Sequence, residues 1–154
     1  MFRDEGRFAC ALRALDRGEF ADADAAFSEL LARDWSAGER AFLINKRGVA
    51  RIGLDLRDLA RADFEEALRL TPSHAPALTN LGNLMLEEGD VDGAIARYER
   101  AIAADAQYPV AHWNLSVAYK RTGRRADAVR ELRLATRLEQ NATASNFWRR
   151  VRRQ

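Results

Sequence analysis

The sequence has little that breaks a helix and little that supports covalent or metal chemistry. Its 154 residues include three prolines, nine glycines, two histidines and one cysteine. A lone cysteine cannot close an internal disulfide, so nothing points to an oxidising compartment. His74, His112 and Cys10 lie far apart and show no ligand spacing, so no metal is expected. The stretch from Gly48 to Gly53 is not followed by the Gly-Lys-Ser/Thr of a phosphate loop, and no Gly-x-Ser-x-Gly elbow occurs. Glu65-Glu66 and Glu87-Glu88 are adjacent pairs that diverge around a helix instead of converging on a substrate. No catalytic residue, no cofactor and no enzymatic activity are therefore expected. No apolar run approaches the length of a membrane span. The first residues carry Arg3, Asp4, Glu5 and Arg7, unlike a signal peptide, and a cytoplasmic location is expected.

What is present is material for helices. The chain is 47% hydrophobic and 31% charged, rich in alanine, leucine, arginine and glutamate, with a formal net charge of +2. The charge is uneven. Residues Met1 to Ala37 hold five arginines against eight acids, whereas Thr143 to Gln154 hold four arginines and no acid.

Internal self-similarity is the strongest signal. Gly48, Gly82 and Ser116 recur at a step of 34 residues, as do Ala60, Ala94 and Ala128, then Phe64, Tyr98 and Leu132, then Ala67, Ala101 and Ala135. An earlier copy, with Ala11, Ala23, Phe27 and Leu30, precedes the next by 37, which implies three extra residues near Ser36 to Glu39. Each unit predicts two helices. In the third, Leu78, Leu81, Met85 and Leu86 fall at helical spacing, Gly89-Asp90 breaks the pattern, and Ala94, Ile95, Tyr98, Ala101 and Ile102 resume it. The fourth unit breaks at Thr122-Gly123. Small residues at fixed places let two helices cross closely, and the large partners fill the space they leave. Cys10 falls on an apolar face of the first helix, where core packing is expected.

Leu81-Gly82…Ala94…Tyr98…Ala101 and Trp113…Leu115…Tyr119…Ala128 resemble the tetratricopeptide repeat family. The resemblance spans nearly the whole chain, with units at about 4–37, 41–74, 75–108 and 109–142 and a capping helix over 143–154 that begins near Thr143 or Ser145. Arg51 departs from the family's usual aromatic. The resemblance implies an all-α solenoid of about four helix-turn-helix repeats in a single domain, acting as a scaffold or adaptor for a protein or peptide partner.

It also implies that the first helix of each unit lines a concave groove. The expected groove residues are Phe8, Phe42, Asn45, Lys46, Val49, Asn80, Asn83, Trp113, Asn114, Val117, Lys120 and Arg121. Asn80 and Asn114, one repeat apart, predict an amide ladder that hydrogen-bonds a peptide backbone. The aromatics supply anchors and the cations attract acidic groups. Repeats that clamp chaperone tails are similar in a set of lysine and asparagine positions. Here those places hold Asn45, Val49, Asn80, Val110 and Asn114, of which Asn80 alone fits, and that specialisation is not expected. Two alternatives remain open: self-association through an end face or the C-terminal helix, and a nucleic-acid accessory role for Arg149, Arg150, Arg152 and Arg153. A membrane-surface role is weaker still.

Overall fold

The computed structural model describes residues 2–151, with side chains from residue 5 to residue 143. The described residues form eight α-helices and no strand: α1 (Phe2–Asp16), α2 (Phe20–Leu31), α3 (Ala37–Gly53), α4 (Arg57–Leu70), α5 (Ala75–Glu87), α6 (Val91–Ala104), α7 (Pro109–Arg121) and α8 (Arg125–Val151). Successive helices pack as hairpins, α1 with α2, α3 with α4, α5 with α6 and α7 with α8, and each hairpin then packs on the next. The first helices also meet, α3 with α5 and α5 with α7. The result is an all-α solenoid.

The turn inside each hairpin is set by one residue in left-handed conformation: Gly18 (φ 75°), Asp55 (φ 59°), Gly89 (φ 89°) and Gly123 (φ 76°). From Asp55 onward these stand 34 residues apart, and Gly18 precedes Asp55 by 37. Aspartate fills the place in the second hairpin because its short polar side chain tolerates this region better than most. Helix starts are fixed chemically. Ser36 and Glu39 form a reciprocal capping box on α3, Asp90 accepts from the Gly93 amide at α6, and His74 Nδ1 accepts from the Ala77 amide at α5.

Within each hairpin the small position faces the large one. A Cβ on Gly48 would lie 2.6 Å from the Phe64 ring, and one on Gly82 would lie 2.6 Å from the Tyr98 ring. Phe64 and Tyr98 are fully buried and have no room to retreat. At the third place Ser116 is tolerated because its partner Leu132 is smaller and 43% exposed. The Ser116 hydroxyl folds back on the Trp113 carbonyl.

Arg51 is explained by the same packing. Buried Asp63 on α4 receives two bonds from Arg47, at 2.7 and 3.0 Å, and one from Arg51 at 2.9 Å. Arg51 Nε also donates to Asp24 on α2 at 3.0 Å. A position usually aromatic in the family thus becomes an ionic tie between the first two hairpins. The insertion near Ser36 places Trp35, whose Nε1 donates to the Leu30 carbonyl at the end of α2.

Two expectations are corrected. Cys10 is exposed, with its sulfur accepting from Arg13; α1 buries Ala11 and half-buries Phe8 and Leu12, leaving Cys10 on the opposite side. The capping helix over 143–154 is not separate, since α8 runs unbroken from Arg125 to Val151. Thr143 does not start a helix. Its hydroxyl donates to the Glu139 carbonyl one turn back, as a threonine inside a helix does. No glycine or proline follows Gly123 to force a stop. Residues 152–154 of the expected cap lie outside the described residues.

Gly82→Ala gains roughly 1 kcal/mol of helix propensity but drives a methyl into a ring that cannot move, an overpacking cost of about 1–3 kcal/mol. The expected net effect is destabilisation, read as a lower urea midpoint, whereas alanine at exposed Gly38 should not lower it. His74 gives a second expectation. Burial, aided by the charge of Lys46, holds its imidazole below the usual histidine range, and only the neutral ring can cap α5. Its folded pKa lies below the unfolded value, so the unfolded chain binds more protons between the two. The stabilisation is therefore complete above about pH 6.5 and is lost as pH falls through the folded value. Urea titrations at neutral and mildly acidic pH should show a smaller acid loss in His74→Asn, which caps without titrating, than in the wild type.

Candidate functional site

Side-chain contacts tie the first helices α1, α3, α5 and α7 to one another. Between α1 and α3 the rings of Phe8 and Phe42 lie 5.8 Å apart at 52°. Between α3 and α5, Asn80 Nδ2 donates to Asn45 Oδ1 at 2.9 Å. Between α5 and α7, Asn114 Nδ2 donates to Asn83 Oδ1 at 2.8 Å. The Asn83 oxygen also accepts the Tyr98 hydroxyl at 2.8 Å. Burial holds that phenol well above its usual range, so it stays a donor.

The expected groove residues separate into three groups. Phe8, Phe42 and Lys46 come together, with the Lys46 ammonium 5.4 Å from the centre of the Phe42 ring. Phe42 is 36% exposed and Phe8 is half-buried. They border a hollow of about 610 Å³ with Trp35, Leu43, Glu5 and Glu39. The four asparagines form the second group, as two interlayer pairs, Asn45 with Asn80 and Asn83 with Asn114. Asn45 is buried and its oxygen is engaged, so it serves the junction and not a free surface. The third group lies elsewhere. Trp113, Val117 and Lys120 border a groove between α7 and α8 at the end of the stack. Val49 packs toward Phe64 and Leu84 in the core, and the Arg121 guanidinium donates to the Leu86 carbonyl near the end of α5. Thr79, another first-helix position, is wholly buried.

Sequence reasoning missed Trp35, which belongs to the hollow. Its signal was its place, directly before the three extra residues near Ser36 to Glu39 that separate the first and second units. It also missed the role of His112. That buried ring lies 2.8 Å from a Glu131 carboxylate oxygen and 3.2 Å from the Ala106 carbonyl, and so joins α7 to α8. Among the described residues no three His, Cys, Asp or Glu side chains gather as metal ligands, and no helix is long and apolar enough to cross a membrane. The side chains of Arg149, Arg150, Arg152 and Arg153 lie outside the described residues.

Two family models match the chain, one described as TPR repeat over residues 82–123 and one as tetratricopeptide repeat over residues 64–96. Among solved structures, a crystal structure of MamA superposes with a TM-score of 0.69 at 24% identity, over 91% of this chain and 80% of that one. A second crystal structure of MamA protein gives 0.66 at 24% identity, over 91% and 75%. The MamA RS-1 ArsTM double mutant gives 0.66 at 20% identity, over 88% and 75%. At this identity the likeness is one of fold.

The asparagine pairs give a prediction about stability. In a double-mutant cycle on Asn45→Ala and Asn80→Ala, the coupling should be about 0.5–1.5 kcal/mol, the worth of one neutral hydrogen bond. Additive effects of the two substitutions in urea titrations would mean that the pair does not hold α3 to α5.

Proposed function

Because the chain carries tetratricopeptide repeats, a repeat that builds protein-interaction scaffolds, we propose that it is an adaptor that binds a peptide or helix of a partner protein along the face formed by α1, α3, α5 and α7. We take residues 1–154 as one domain with units near 4–37, 41–74, 75–108 and 109–142.

The observation that carries this reading is the group of Phe8, Phe42 and Lys46 over an open hollow. A partly exposed aromatic pair beside an ammonium offers both an apolar anchor and an electrostatic guide, the combination that dominates affinity at many interfaces. The amides extend the surface. After their interlayer bonds, the Asn80 and Asn114 carbonyl oxygens and the Asn83 amino group have no partner among the described residues. They meet a peptide backbone without regard to its sequence. Glu5 and Glu39 on the rim of the hollow favour a partner with a basic residue near its apolar anchor. Glu39 stays ionised because the Ser36 hydroxyl and amide bond its carboxylate and lower its pKa.

A photoreactive phenylalanine analogue placed at residue 42 should cross-link a partner in the native cell, and the same group at exposed Glu65 on α4 should not. Phe42→Ala, with its helicity unchanged by circular dichroism, should weaken the captured partner by about tenfold or more, the loss typical of a binding hot spot. Cross-linking from residue 65 alone would move the binding surface to the second helices and defeat this assignment.

A further inference from the structure

The last hairpin ends in an open groove between α7 and α8. Trp113 is 50% exposed, Val129 47% and Leu132 43%, and together with Ala128 they make an apolar floor in a hollow of about 520 Å³. The repeat shows what such a groove receives. Ala128, Val129 and Leu132 stand 34 residues after Ala94, Ile95 and Tyr98. Those three are covered by α7, which seats Leu115, Ala118 and Tyr119 against them. The end groove is therefore the socket for a helix, repeated one level on. The chain does not fill it within the described residues, since α8 continues past Thr143 instead of turning back.

The two sockets differ at the rim. Lys120 and Arg125 take the places of Leu86 and Val91, and Arg133 takes the place of Glu99. At the inner socket Glu99 accepts the Tyr119 hydroxyl of the incoming helix at 2.9 Å. Two apolar groups and a carboxylate have thus become three cations. Among the described residues none of the three has a carboxylate partner, and Arg137 continues the basic row along α8. A helix that fits this socket needs small and apolar residues where α7 has them, and carboxylates where it meets the rim.

We propose that the α7–α8 groove docks an amphipathic helix of a partner protein, apolar on one face and acidic along its flanks. The chain's own C-terminal segment fits poorly, because residues 143–154 carry four arginines and no acid. A second copy stacked head to tail would fill the groove from its N-terminal hairpin. The described residues of α1 and α2 expose no large apolar side chain for that purpose.

Two synthetic helical peptides test the proposal on the full chain. Both carry alanine, leucine, alanine and tyrosine spaced as Ala111, Leu115, Ala118 and Tyr119, one flanked by glutamates and the other by lysines. By fluorescence anisotropy the glutamate peptide should bind at least about tenfold more tightly, with a preference that shrinks in high salt. The pair Arg125→Glu and Arg133→Glu should reverse the order. Val129→Asp, an exposed change checked by circular dichroism, should abolish binding of both. Equal binding, no binding, or binding that survives Val129→Asp would overturn the proposal. So would peptide binding that emerges only when residues 144–154 are removed, which would assign the groove to the chain's own tail. Dimerisation in sedimentation runs that is lost with Val129→Asp and blocks the peptide would assign it to a second copy. Displacement by a single-stranded oligonucleotide of equal charge would assign it to polyanions.

Discussion

The distance between two helices of a hairpin depends on the absence of a side chain. At Gly48 and Gly82 the opposing aromatic ring occupies the volume where a Cβ would stand, so backbone and ring meet directly. That contact fixes how deeply Phe64 and Tyr98 sink, and they in turn form part of the surface on which the following first helix lies. Close packing of this kind admits few alternatives, because a ring in a filled core has no second place to go. The repeat length follows: each unit must return the chain to the same crossing before the next can be laid on it. Where the large partner shrinks to Leu132, the small residue relaxes to serine.

Polar groups are arranged to leave this packing undisturbed. No buried side-chain nitrogen or oxygen lacks a partner among the described residues. Asp63 satisfies both oxygens with two guanidiniums, and His112 uses both ring nitrogens. These ties occupy different joints. The Asp63 network binds α2, α3 and α4, whereas His112 and Glu131 bind α7 to α8. Removing either acid would strand a buried or half-buried cationic or polar group, which costs more than the pair itself contributes.

The architecture was legible because it is written as a period. Four series at one spacing named the small and large positions, and Gly89 and Gly123 marked two turns through their own conformational freedom. Asp55 carried the same turn without a glycine and gave no such mark. The continuity of α8 was not legible, because Thr143 serves equally as a helix start or as an interior residue that bonds one turn back. Cys10 was misplaced because its neighbours are apolar on both sides of the helix, and only packing decides which side faces inward. The candidate site was legible as a face but not as a surface. Periodicity put the asparagines on the first helices, yet whether an amide meets solvent or another amide depends on the distance between layers. That distance separated Asn45 from the groove and grouped it with Asn80.

The junctions between first helices also have a mechanical meaning. Each carries a ring contact or an amide bond worth about 1 kcal/mol, and the α5–α7 junction adds the Arg121 bond to the Leu86 carbonyl. These contacts lie on the same side as Phe42 and Lys46. The spacing between layers on that face therefore rests on several small terms and not on one strong one.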